Sequence, residues 1–147
     1  MGAEMSDFVY VGAAPWYGAS KNAVTGGLYR LDAGRGRWDK LTAGLPEGVE
    51  ARCLATQPGA AEVVYVGTQH GPYRSTDAGE SWGRLALPGQ EQLVWSILLH
   101  PDDPKAIYVG TQHTTMYRSR DGGRSWTELS PPAVSYTHLR AHETGRN

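Results

Sequence analysis

"YRSTDAGESW", residues 73–82, is answered forty-four positions later by "YRSRDGGRSW", residues 117–126, and the pair decides the fold. A degenerate third copy, "YRLDAGRGRW", stands at 29–38, again forty-four positions away. A leucine follows each closing tryptophan by three places, at Leu41, Leu85 and Leu129. Upstream of the blocks lie "VYVG" at Val9–Gly12 and Val64–Gly67 and "IYVG" at Ile107–Gly110. Self-similarity at a fixed period marks a repeat architecture.

Each period breaks into four short strand signals. In one copy they are "RCLATQ", "VVYVGT", "GPYRST" and "WGRLAL"; in the next, "LVWSILL", "AIYVGT", "TMYRS" and "WTEL". The connections are rich in Pro, Gly, Asp and Asn, which end strands and build turns. "VVYVG" is apolar on both faces, which implies a sheet covered on both sides. Four strands every ~40–45 residues is the period of a β-propeller blade. The expected fold is therefore all-β, a β-propeller fragment of four-stranded antiparallel blades. Two blades are complete, and the first copy supplies three strands because residues 1–7 are too short and polar for a fourth. The units run over about 8–45, 49–88 and 93–131, within a partial propeller at 1–133. An open fan of this kind exposes blade faces meant for neighbours.

Within the block every residue type has a local task. Asp77 accepts from backbone N–H groups ahead of it. Gly79 supplies a positive φ, Ser81 completes the hydrogen bonding, and Trp82 plugs the outer strand into the core. Ser75 heads the block, and Ser119, Asp121, Gly123, Ser125 and Trp126 repeat the set. A catalytic acid is needed once, whereas a turn is needed in every blade. No catalytic residue is assigned.

"STDAGESW" and "SRDGGRSW" resemble the Asp-box, or bacterial neuraminidase (BNR), repeat, S-x-D-x-G-x-S/T-W. The resemblance covers about residues 8–130 and reaches the Asp-box propeller superfamily: sialidases, xyloglucan-cleaving glucanases, the sortilin ectodomain and photosystem-II assembly factors. It implies that the box lies between the third and fourth strands of a blade, with the ligand face at the opposite end. The first copy departs from it, with Ala33 where the acid belongs and Asp32 one place early.

On the opposite face the resemblance leaves the turns "GTQHGP" and "GTQHTT", presenting Gln69, His70, Gln112 and His113. These line a polar pocket, donate two metal ligands that would need at least another from the missing blades, or are turn chemistry copied with the repeat. The equivalent loop of the first copy is longer, "AAPWYGASKNAVTGG", and offers Trp16 and Tyr17 for stacking with Lys21 and Asn22 as polar contacts. Long loops in compact domains are often functional. Arg52 and Trp95, on inner strands, face the central channel or its reverse depending on strand phase. Sialidase relatives carry an Arg-Ile-Pro motif and an arginine cluster, and neither is present. A paired-carboxylate mechanism needs acids on both walls of a cleft.

Composition narrows the partners. Fourteen Lys+Arg against fifteen Asp+Glu give a net charge of −1, no electrostatic case for nucleic acid or an anionic membrane. Cys53 is the only cysteine, so no disulfide or thiolate metal site can be built within the chain. No metal or cofactor is assigned. The first twelve residues lack a secretory pattern, and the match to an N-myristoylation pattern at Gly2 and Ser6 leaves little free arm before the strand at Phe8. The expected compartment is the cytoplasm.

Residues 134–147, "VSYTHLRAHETGRN", break with the repeats. Val134–Thr144 resembles the in-frame translation of a transposase sequencing adapter. This segment is read as a non-native tail, with the remaining blades missing beyond it, and its His138 and His142 are set aside. Two function classes follow. One is a non-catalytic scaffold binding a protein or carbohydrate on the face opposite the boxes; the other is a sialidase-like or xyloglucanase-like glycoside hydrolase.

Overall fold

The computed structural model describes residues 7–15 and 26–129. Among the described residues eleven strands form three antiparallel sheets. The first holds β1 (Phe8–Ala13), β2 (Gly27–Asp32) and β3 (Arg37–Leu41). The second holds β4 (Ala51–Gln57), β5 (Ala60–Thr68), β6 (Gly71–Ser75) and β7 (Gly83–Arg84). The third holds β8 (Val94–Leu99), β9 (Ile107–Thr111), β10 (Met116–Ser119) and β11 (Thr127–Glu128). Each sheet pairs its strands in chain order, as a propeller blade does. The outer strands are shorter than the sequence signals "WGRLAL" and "WTEL" because each block turn returns the chain late. Only two residues pair before Leu85 N–H closes on Pro72 and Leu129 N–H on Met116.

The cores lie between blades, not within them. Leu28 and Leu41 of the first blade pack with Val64, Val66, Tyr73 and Trp82 of the second. Tyr65 and Leu85 of the second pack with Val94, Ile107 and Val109 of the third. Blade spacing is set where the glycine of the "YVG" motif leaves room for the next inner strand. A Cβ on Gly12 would lie 2.8 Å from Ala51 Cβ, and one on Gly67 would lie 2.6 Å from Val94 Cγ1.

An arginine clasp recurs across both junctions. Arg30 of β2 donates to the carbonyl of Ala78, 2.6 Å away and 48 positions on. Arg74 of β6 donates to the carbonyl of Gly122 at 2.9 Å, again 48 positions on. The accepting residues are left-handed, φ 56° at Ala78 and φ 72° at Gly122, which turns their carbonyls back toward the preceding blade. Arg30 also meets Glu80 at 2.6 Å and stacks 4.5 Å from the Phe8 ring centroid.

Large apolar side chains remain exposed mainly on the two end faces: Val9, Val11 and Trp38 on the first blade, Leu98 and Met116 on the third. Trp95 is the other exposed one among the described residues.

Candidate functional site

The two complete boxes fold alike, in the loops between β6 and β7 and between β10 and β11. Asp77 Oδ1 accepts from Ser75 Oγ at 2.7 Å and from Ser81 N–H at 2.9 Å, while Oδ2 accepts from Ser81 Oγ. Ser75 Oγ in turn accepts from Gly79 N–H at 2.8 Å. Asp121 repeats this with Ser119, Ser125 and Gly123, and adds Arg124 N–H at 3.1 Å. Hydrogen bonds from the serine hydroxyls and backbone, the Ser81 hydroxyl first, hold Asp77 down at about 2. Those of Ser125 and Ser119 hold Asp121 well below the usual carboxylate range. Both acids are ionised at neutral pH, with their lone pairs occupied by their own loop.

Gly79 and Gly123 carry φ of 90° and 92°, and a Cβ at Gly79 would press on Leu41 at 2.9 Å. Trp82 is 6 % exposed and its Nε1–H donates to Gly79 at 3.2 Å. Trp126 packs against the second core, but its buried Nε1–H has no partner among the described residues. In the first copy Asp32 Oδ1 accepts from Gly34 and Arg35 N–H, a shorter turn, and Trp38 is 52 % exposed. Trp82 packs against Leu28 and Leu41 of the preceding blade, and among the described residues no blade precedes Trp38.

At the other end of the blades sit the β5–β6 and β9–β10 turns. Gln69 Oε1 accepts from Glu50 N–H at 2.7 Å, and its Nε2 donates to Gly48 at 2.9 Å. Gln69 thereby straps down the connection that leads into β4. Glu50 pairs with Arg52, whose guanidinium stacks 5.4 Å from the Trp95 ring centroid on the next blade. Arg52 and Trp95 fall at β-bulges at matching positions of β4 and β8, between Ala51/Cys53 and Val94/Ser96. The bulges settle the strand-phase question for both: each leaves the ladder and the two meet across the blade junction. Trp95 is 54 % exposed, and the buried Nε of Arg52 has no hydrogen-bond partner among the described residues.

The two Gln-His pairs are not equivalent. His70 Nδ1 lies 2.9 Å from Glu91 Oε2, and Glu91 also meets Arg84 at 3.3 Å. The His70 hydrogen bond is the main cause of the lowered Glu91 carboxyl. Gln112 instead sits in a 3-10 turn, Gln112–Thr114, where His113 and Thr114 take φ of 65° and 60°. The strapping function passes to Gln92, which accepts from Thr111 Oγ1 at 2.8 Å and donates to Tyr117 OH at 2.9 Å. The cause is one additional residue in the turn, "HTTM" against "HGP". Trp16, Tyr17, Lys21 and Asn22 lie outside the described residues. Among the described residues no group of three or more His, Cys, Asp or Glu is gathered to hold a metal, and no helix is long and apolar enough to cross a membrane. Burial pushes the Cys53 thiol up to about 11.

Three antiparallel sheets, two of them with a complete Asp box before the outer strand, define the class: this is an Asp-box β-propeller chain. The family model "Sortilin, neurotensin receptor 3" matches residues 71–147, just over half of it, and the chain belongs to the Sortilin-Vps10 family. It is 33 % identical over 61 residues to the vacuolar protein sorting/targeting protein 10 of Ajellomyces capsulatus, covering 42 % of this chain and 4 % of that protein. It is 28 % identical over 146 residues to a Paenibacillus xyloglucanase, covering 82 % of this chain and 14 % of the enzyme. Among solved structures, the GH74 xyloglucanase from Xanthomonas campestris superposes with a TM-score of 0.62 at 25 % identity, over 84 % of this chain and 22 % of that one. YCF48 bound to D1 peptide superposes at 0.57 and 21 % identity, over 72 % and 34 %. The chain thus spans a small part of each relative.

Proposed function

We propose that this chain is part of a non-catalytic propeller that binds a protein ligand on the face opposite its Asp boxes. The observation carrying the reading is the contrast between the two ends. At the box end the acids are ionised and saturated by their own loops. At the other end an exposed indole, Trp95, is backed by Arg52, which is held through Glu50 by Gln69. A rigid aromatic at a junction, with one face supported and the other open, suits recognition. The family description names a receptor, and the fungal relatives are named for protein sorting, which supports a protein ligand.

The second reading is a xyloglucan-cleaving hydrolase, favoured by the match to the Paenibacillus enzyme across most of this chain. Such chemistry needs a pair of carboxyl groups about 5–10 Å apart across the cleft. Exposure of the full chain to xyloglucan and sialoside reporters, and to an immobilised peptide array, separates the readings. Peptide capture that Trp95→Ala abolishes, with no reporter turnover, is the expected result. Sustained turnover would establish the enzyme.

The cytoplasmic compartment is proposed on the lone, half-buried thiol of Cys53 alone. A fluorescent fusion that entered the secretory route would overturn it.

A further inference from the structure

We propose that the cleft between the second and third blades, at the Asp-box end, binds a small phosphate-bearing anion. The cleft is a cavity of about 450 Å³ beside the second arginine clasp, and Arg74, Lys105, Arg120 and Arg124 all line it. That volume lies within the range of small-molecule sites, about 300–1,000 Å³. Among the described residues no carboxylate forms an ion pair with any of the four. Arg74 gives Nη1 to the Gly122 carbonyl at 2.9 Å and has no other side-chain hydrogen bond to a described residue. The carboxylate in the lining, Asp121, is engaged by its own loop, accepting from the Ser119 and Ser125 hydroxyls and from the Arg124 N–H. The chain as a whole carries a net charge of −1, so this concentration of positive charge is local.

The repeat supplies an internal control in the cleft between the first and second blades. Tyr10, Glu62 and Ala78 line that one, where Tyr65, Lys105 and Gly122 line the other. The backbone fixes the correspondence: Ala78 N–H donates to the Glu62 carbonyl at 2.9 Å, and Gly122 N–H to the Lys105 carbonyl at 3.0 Å. In the first cleft the clasping arginine is neutralised, Arg30 meeting Glu80 at 2.6 Å and Asp39 at 3.5 Å. In the second, Lys105 stands in the place of Glu62, Arg124 in that of Glu80, and Arg120 in that of Thr76. Two carboxylates and a hydroxyl have given way to three cations, while the clasp itself is unchanged.

The architecture does not ask for those charges, since both boxes make the same hydrogen bonds with either set. Like charges gathered in one place repel, and a cleft focuses their field outward, which raises the local concentration of anions. Arginine matches phosphate with parallel, charge-assisted N–H donors, and lysine adds a point charge. A phosphomonoester carries about −1.5 to −2 at neutral pH, roughly twice a carboxylate. Four cations against one carboxylate already in use therefore select a compact, multiply charged group. The site lies at the other end of the blades from Trp95 and stands independently of the protein-ligand reading.

The test titrates the full chain with sodium pyrophosphate by calorimetry, in a phosphate-free buffer at constant ionic strength. Saturable one-site binding is expected, together with a urea midpoint that rises as pyrophosphate is added. Arg124→Glu gives Arg74 the partner that Glu80 gives Arg30, and Arg120→Thr restores the residue of the first cleft. Each should weaken pyrophosphate binding by about tenfold or more, the loss of one hydrogen bond to a charged group. Without ligand, Arg124→Glu should raise the urea midpoint, because it replaces repulsion with a pair. Succinate, a dicarboxylate, should give no saturable binding, and Trp95→Ala should leave the pyrophosphate affinity unchanged. Absence of saturable pyrophosphate binding would overturn the proposal, as would affinity that survives both cleft variants. Succinate binding as tight as pyrophosphate would sink the phosphate assignment, and loss of binding in Trp95→Ala would move the site to the opposite end.

Discussion

Gly67→Ala tests whether a bare stretch of backbone sets the distance between blades. An added Cβ would lie 2.6 Å from Val94 Cγ1 and 3.0 Å from Val94 Cβ, and closer still to Cys53 Sγ. Val94 is fully buried, opens β8 beside a bulge, and is stiff at χ1, so relief requires backbone movement. Overpacking of this kind costs about 1–3 kcal/mol. With a urea slope of about 1–3 kcal/mol per molar for a small protein, the midpoint falls by on the order of 1 M. Gly110→Ala is the internal control. It occupies the same motif position, but its Cβ would crowd only Ser96 Oγ, which can rotate away. Its effect should stay within about 0.5 kcal/mol. Val94→Ala in the Gly67→Ala background should recover part of the loss, giving a coupling of about 0.5–3 kcal/mol. Urea unfolding followed by tryptophan fluorescence reads all four chains. Equal shifts for Gly67→Ala and Gly110→Ala, or strict additivity in the double variant, would refute the reasoning.

Trp82→Ala should cost about 3–5 kcal/mol as a core truncation, and Trp38→Ala no more than about 0.5, as measured by thermal melts. Asp77 and Asp121 have folded-state values below their unfolded ones, so their contribution is present above about pH 4. It is lost as pH falls toward 2; the Asp77→Asn and Asp121→Asn double variant should lack that acid-limb loss in a pH titration of the urea midpoint. Arg30→Met takes the donor from Glu80 and one of two donors from the Ala78 carbonyl, which keeps the Tyr10 hydroxyl, and should destabilise by about 1–3 kcal/mol, against little change for exposed Arg37→Met. Trp95→Ala removes only an indole stacked on the Arg52 cation, worth about 0.5–1 kcal/mol at an exposed site, so a binding loss larger than its stability loss is the expected pattern.

The box was legible because its chemistry is local. Ser75, Asp77, Gly79 and Ser81 lie within seven positions, and hydrogen bonds between such neighbours follow from residue type and spacing. The degenerate first box was legible for the same reason, in the single shift from Asp77 to Asp32. The inequality of the Gln-His turns was also written in the chain, as one additional threonine, although identical "GTQH" tetrapeptides conceal it. The arginine clasp left a weaker trace. Each "YR" shows an arginine, but nothing in a window of ten residues points 48 positions ahead to a carbonyl. The left-handed turn at Ala78 was equally hidden, since an alanine carries no mark of positive φ.

Period, strand count per blade and box identity were thus determined by sequence alone, because a repeat states its own register. The tertiary structure decided which acids and amides are already engaged and which side chains meet across blades. Gln69 was drawn into strapping Glu50, while Arg52 and Trp95 were brought together by bulges that no periodicity encodes. The physical reason is that hydrogen bonds within a turn depend on neighbours in the chain. Contacts between blades depend on how two twisted sheets come to rest against each other.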